Sequence, residues 1–339
     1  MENFNNLSLA STLRGLYATP IICELSKKKV FERNSKKINL KALKKIKNKF
    51  ILNLCLDYLE QIQITEKKNL SWFLTDYGFE IFKRSNSFFV PHSYREIILN
   101  LGNILIGKKK INNCNVDRYE NILGSGLTHL RYFYQPLNYC NLRMNYDTLI
   151  DLGCGNGHFI NLALDYKKNL KIVGIDLSSD SVQTCKKNIK KQVKNNNLKI
   201  FKCDISKISK WKKKGNSIIK KSNSLISMWF MLHEISNHKV SNVKKFLKSL
   251  HKNFPNSNLL IGEIIKHDQK TLNEIYKKSL MPEYLFFHKV SGQGILSWKD
   301  YKSLLVDCPY SLEYEWKFDD DNSFKIPSAF VWVLKPKKK

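Results

Sequence analysis

Residues 146–164 read Tyr-Asp-Thr-Leu-Ile-Asp151-Leu152-Gly153-Cys154-Gly155-Asn156-Gly157-His-Phe-Ile-Asn-Leu-Ala-Leu. The first six residues have the apolar run of a buried strand, and His158 to Leu164 have the spacing of a helix. Between them stand three glycines at alternate positions, which permit a tight turn and let a ligand come close to the backbone. A bare glycine motif also suits a dinucleotide. Three details point elsewhere. The spacing is GxGxG rather than GxGxxG, an acid (Asp151) precedes it on the strand, and a second acid, Asp176, ends the next strand 19 residues after Gly157.

Working outward, Lys171–Asp176 reads as the second strand and Leu198–Asp204 as a third, also ending in an acid. Ser224–Met228 and Asn258–Glu263 follow as a fourth and fifth. The spacers are long enough for crossover helices, the signature of a parallel α/β sheet covered on both faces. Three acids in register at strand ends are more than strand capping requires.

The chain before this sheet reads differently. Leu7–Cys23, with Leu9, Leu13 and Leu16 ahead of Pro20, and Leu40–Glu60, with Leu43, Ile46, Phe50, Leu54 and Tyr58, carry helical periodicity. Residues 61–65 and 71–75 are expected to pair as short strands around a turn at Glu66–Asn69. Helix, helix, hairpin is a winged-helix order. The second helix is basic only at its start, so packing in a dimer or lid is expected of it rather than groove reading. Residues 86–145 are dense in aromatics, among them Tyr94, Tyr132, Phe133 and Tyr139, and suit either a small-molecule cavity or helix packing. The expected division is a winged-helix-like dimerisation or lid domain over 1–100, a helical linker and substrate-lining segment over 101–145, and a ligand-binding domain over 146–339.

Composition narrows the class. The 339 residues are 42% hydrophobic and 26% charged, ordinary globular usage that leaves room for two cores. No apolar stretch approaches the roughly 18 residues of a spanning helix, and Met1–Asn6 lacks a basic region followed by an apolar block, so neither membrane spanning nor classical secretion is expected. The formal charge of +29 would suit a polyanion, but only seven of the 58 basic residues are Arg, and none follows Arg143. Nucleic-acid readers favour Arg for its bidentate fork, so the Lys excess reads chiefly as solvated surface. Eight scattered Cys (23, 55, 114, 140, 154, 185, 203, 308) form no CxxC pair, which fits a reducing cytoplasm.

On its glycine loop and three strand-end acids, the segment 146–265 resembles class I S-adenosylmethionine-dependent methyltransferases, with their Rossmann-like sheet. The resemblance implies that Asp151 with Gly153, Gly155 and Gly157 holds the methionine part of S-adenosylmethionine. Asp176 would accept the ribose hydroxyls and Asp204 the adenine amine, roles that suit oxygen acceptors. NAD would use Asp176 in the same way. With the winged-helix-like front, the chain further resembles metal-dependent C-methyltransferases of α-keto acids and polyketide-starter modules. In that group a His after the fourth strand, a second His and a Gln five residues beyond it bind a divalent metal (Fe, Mn or Zn). His233, His288 and Gln293 match, although Ser236-Asn237 stands where the keto-acid enzymes carry Cys-Asp. Such a metal would stabilise an enolate on a 2-oxo acid or carrier-bound acyl group.

Without metal, His233 would serve as general base on a hydroxyl or thiol, with Glu234 orienting its ring or merely favouring the first helical turn. Glu263 is a further candidate ligand or base. The expected function is therefore small-molecule methyl transfer in a cytoplasmic homodimer. Metal-enolate C-methylation leads, and O- or S-methylation of a hydroxy or methylthio-hydroxy acid is the alternative. A nucleic-acid enzyme is remote, since the fourth strand runs into Met-Trp-Phe-Met and not an Asn/Asp-Pro-Pro-Tyr/Phe motif.

Overall fold

A computed structural model describes residues 6–32, 34–111, 115–189, 197–219, 223–275, 279–319 and 326–337. Cys114, Arg33 and the start and end of the chain lie outside the described residues. The chain divides into two compact units, one of residues 1–93 with Leu123–Ser125, the other of Tyr94–Ile122 with Gly126–Lys339.

In the first unit a helix spans Asn6–Lys27, running through Pro20 rather than stopping there. Among its described side chains Ala18, Ile22, Cys23 and Leu25 are buried, while Leu13 and Leu16, expected in the core, are exposed. The second expected helix is two, Leu40–Lys45 and Lys49–Gln61. Asn48 caps the second by accepting from the Ile51 N–H at 3.0 Å, so the helix restarts in a new phase. Leu52, Leu56 and Leu59 are buried as a result, and Phe50 and Leu54 face out. Strands β1 (Thr65–Lys68) and β2 (Ser71–Leu74) pair antiparallel, with Lys68 opposite Ser71. The turn is Asn69-Leu70, both residues at positive φ (46° and 65°), a two-residue reversal that matches strand twist. The second strand thus lies where it was expected, and only the first strand and the turn sit a few residues later.

The second unit is built on a seven-stranded sheet. Its strands are β3 (Thr148–Leu152), β4 (Lys171–Asp176), β5 (Leu198–Lys202), β6 (Ser224–Trp229), β7 (Asn258–Ile264), β8 (Tyr310–Asp319) and β9 (Pro327–Pro336), in spatial order β5-β4-β3-β6-β7-β9-β8. The first five are parallel, as the sequence predicts, β9 runs antiparallel to β7, and β8 runs antiparallel to β9. Every residue of β3 and β6 is buried, which is why these strands read as nearly continuous apolar runs. The strands β8 and β9 are additional to the five expected. Ala329–Leu334 has an equally apolar run, and β8 alternates Tyr310, Leu312, Tyr314 and Trp316.

Strand order reverses at β3, whose neighbours β4 and β6 lie on opposite sides. Ligands of such sheets bind at this switch point, outside the carboxyl ends of the strands. Among the described residues no helix is long and apolar enough to cross a membrane.

Leu260, fully buried in β7, is a sensitive probe of the sheet. Leu260→Ala is expected to destabilise the second unit by about 2–5 kcal/mol, read as a lower denaturant midpoint at unchanged m-value.

Candidate active site

Strand β3 delivers Asp151 and Leu152 into the glycine turn, and Gly157 enters the helix His158–Tyr166 with φ 85°. A Cβ on Gly157 would lie 2.9 Å from Cys185 Sγ, and one on Gly153 (φ 78°) would lie 2.5 Å from Met231 Sδ. Both positions therefore require glycine on conformational and steric grounds. Gly155 differs: the nearest atom to a Cβ there is Ile122 at 3.8 Å. Its N–H donates to Asp176 Oδ2 at 2.9 Å, tying the loop to the end of β4.

The three acids stand at the ends of the adjacent strands β3, β4 and β5. Asp151 is buried and accepts from Ser227 Oγ of β6 at 2.6 Å. Burial pushes its carboxyl up to about 7, against the pull of Ser227 and with a further push from the Asp176 charge. Asp176 is also raised by burial, although the Ser178 and Gly155 N–H groups hold its anion. Asp204, half-buried, accepts from the Ser206 N–H at 2.8 Å.

Beyond β6 the chain turns sharply, with Phe230 at φ 57° donating its N–H to Gly262 O at 2.8 Å. The short helix Leu232–Ser236 follows and buries His233. Glu263, at the end of neighbouring β7 and fully buried, takes the His233 main-chain N–H on Oε2 at 3.1 Å and the ring Nδ1 on Oε1 at 2.9 Å. A carboxylate only accepts, so Nδ1 carries the proton and Nε2 the lone pair. Burial lowers the imidazolium's pKa, but the Glu263 charge and hydrogen bond outweigh it, with Glu234 adding, and the net shift is upward.

The ring of His233 is therefore held by Glu263 and not by Glu234. Glu234 pairs with Arg118 instead, Nη1 to Oε1 at 3.0 Å. Helical position explains the swap: Glu234 follows His233 directly and points elsewhere, whereas β7 runs alongside β6 and brings Glu263 across.

His288, on the helix Met281–Val290, meets His233 with ring centroids 5.1 Å apart. Its Nδ1 donates to Tyr284 O at 2.7 Å, and Tyr94 Oη approaches its Nε2 at 3.4 Å. Burial and the nearby His233 charge keep it neutral, with a pKa well below the usual imidazole range. Gln293 is buried close by, its N–H donating to His288 O at 2.7 Å. The three expected metal ligands thus gather, but the lone pair of the second imidazole faces a tyrosine hydroxyl. Among the described residues no group of three or more His, Cys, Asp or Glu could hold a metal ion. As the side chains stand, this donor set does not fit a resident divalent cation, and the expectation of a metal is not supported.

The sequence gave no role to Arg118, counted only among the seven arginines, or to Tyr284, and gave Tyr94 only as part of an aromatic segment. Arg118 carried one weak signal, the rarity of Arg in a Lys-rich chain. Of the aromatic segment, Tyr132 packs edge-on against Phe230, and Phe133 is core, against Phe159 and Trp229.

Residues 145–307 match the family model described as a methyltransferase domain. No curated protein matches. An O-methyltransferase family protein from Burkholderia thailandensis is similar in structure with a TM-score of 0.64 at 12% identity, covering 98% of each chain. A putative O-methyltransferase from Nostoc punctiforme reaches 0.62 at 11%, covering 96% of this chain and 98% of that one. Human N-acetylserotonin methyltransferase, in complex with S-adenosylmethionine, reaches 0.60 at 12%, covering 100% and 99%. Domain match, sheet and loop define the class, an S-adenosylmethionine-dependent methyltransferase. Its order along the chain, a helical region followed by a Rossmann-like sheet, is that of O-methyltransferase-fold proteins.

The raised Asp151 carboxyl has a consequence for the ligand-free protein. A group whose pKa is higher folded than unfolded contributes stability that is present below pH 4 and lost as pH rises through about 7. Asp151→Asn, which cannot titrate, is expected to gain on the parent by up to about 4 kcal/mol between pH 4 and 8, measured by denaturant unfolding at each pH.

Proposed function

We propose that this enzyme moves a methyl group from S-adenosylmethionine to a hydroxyl of a small molecule, with His233 as general base. The observation that carries the reading is the doubly held His233: Glu263 fixes ring and main chain together and leaves Nε2 as the acceptor. Met231, two residues earlier, packs against Gly153, so the base and the cofactor loop are mechanically joined.

In this reading the loop Gly153, Gly155 and Gly157 with Asp151 receives the methionine part, Asp176 the ribose hydroxyls and Asp204 the adenine amine. Gly155 leaves room for a ligand against the backbone. As the acceptor oxygen forms its bond to the methyl carbon, its proton passes to His233 Nε2 and the carbon–sulfur bond breaks, its electron pair staying on sulfur. Glu263 stabilises the imidazolium that results. Alignment of oxygen, carbon and sulfur supplies much of the remaining acceleration.

Thioether methylation would need no base, and the care with which His233 is held favours a hydroxyl. Metal-enolate chemistry at the same place would require His288 to give up Tyr94. For the first unit we propose a winged-helix-like dimerisation role, supported by its helix, helix, hairpin order and the exposed Leu13, Leu16, Phe50 and Leu54.

His233→Ala is expected to lower kcat by about 10²–10⁴ while S-adenosylhomocysteine affinity by calorimetry stays within about threefold. Because Glu263 raises the His233 pKa, turnover should rise with pH through that pKa. Glu263→Gln should move the midpoint to lower pH and reduce the plateau. Turnover should survive chelation; its loss to chelator and return with Fe²⁺ or Mn²⁺ would replace the base mechanism by the enolate one. Sedimentation should give twice the chain mass of 39.7 kDa.

A further inference from the structure

We propose that Arg118 anchors a carboxylate of the methyl acceptor, making the substrate a small hydroxy acid. This rests on the methyl-transfer reading above and adds to it the identity of the group that holds the acceptor. Arg118 opens the helix Arg118–Thr128 and is half-buried. Among the described residues its one ion pair is Nη1 to Glu234 Oε1, 3.0 Å, which engages one donor of a guanidinium that has five. A half-buried guanidinium with most of its fork unspent is a poor structural element, and it is well matched to a carboxylate, which takes two parallel N–H bonds.

Its place also fits. Glu234, which holds Arg118, stands on the same short helix as His233. The Arg118 charge acts on Tyr94, Asp176, His233 and His288, on both the cofactor and the acceptor side. Of the groups nearby, His288, His129 and Arg131 do not offer a cation to an anion. His288 is held neutral between Tyr284 O and Tyr94, and His129 is pushed down to about 3 by burial and the Arg131 charge. Arg131 itself lies on the ring and hydroxyl of Tyr132. An acid bound at Arg118 would present a hydroxyl a few bonds away toward His233, and Glu234 would keep the guanidinium in place while the acid is absent.

The test uses the intact protein saturated with S-adenosylhomocysteine and titrated with lactate, phenyllactate and salicylate, each against its methyl ester. At least one acid is expected to bind tenfold or more tightly than its ester. Arg118→Gln should erase that difference by weakening the acid alone, and Arg118→Lys should keep part of it. Glu234→Gln, which releases the fork, should leave the acid bound as tightly or more so. Equal binding of acid and ester by the parent protein would overturn the proposal, as would failure of every acid to bind, or loss of S-adenosylhomocysteine affinity in both Arg118 variants. Failure of the parent protein to bind S-adenosylhomocysteine would instead sink the methyl-transfer reading itself.

Discussion

A fully buried carboxylate must be satisfied or it will not stay ionised, and Glu263 meets that demand in a single way. It accepts from the main chain of His233, from the ring of His233 and from the Ile264 N–H at 2.9 Å. Three donors on one anion fix where the chain may go after β6. That turn, with Phe230 forced into left-handed backbone, places Met231 against the glycine loop and turns Glu234 toward Arg118. The orientation of the imidazole, the closure of the loop and the placing of the cation all follow from satisfying one buried charge.

Asp151 and Asp176, at the ends of β3 and β4, obey the same logic with a different outcome. Asp176 is bound by two main-chain N–H groups. Asp151 accepts from the neutral Ser227 hydroxyl, and burial with the nearby Asp176 charge raises its carboxyl to about 7. A cationic ligand group beside Asp151 would relieve what burial imposes. The site is preorganised in geometry and left electrostatically incomplete.

How much of this was legible in the sequence depended on the range of the interactions. Four of the five parallel strands were readable because both faces of each are buried, so Ile150, Val173 and Ile226 belong to apolar runs, whereas β5, at the sheet edge with Ile200 buried, was readable by its alternation and spacing. The glycine loop was readable because its backbone conformation admits few residue types. The helical unit was misread in phase: a three-residue break at Ile46–Asn48 rotates everything after it, and only the cap at Asn48 marked it. The Glu263–His233 contact joins residues 30 apart through strand pairing, and Arg118–Glu234 spans 116. No local pattern specifies such pairs, which is why Glu234, next in line, looked the better partner for the ring.

The place of β9 has a consequence for synthesis. It lies between β7 and β8, yet it is made after both, so the outer edge of β7 stays unpaired until the chain has passed residue 327. That edge belongs to the strand bearing Glu263. A nascent chain on the ribosome can lay down β3, β4 and β5 early, but the strand that carries Glu263 acquires its second neighbour only once Ala329–Leu334 has emerged.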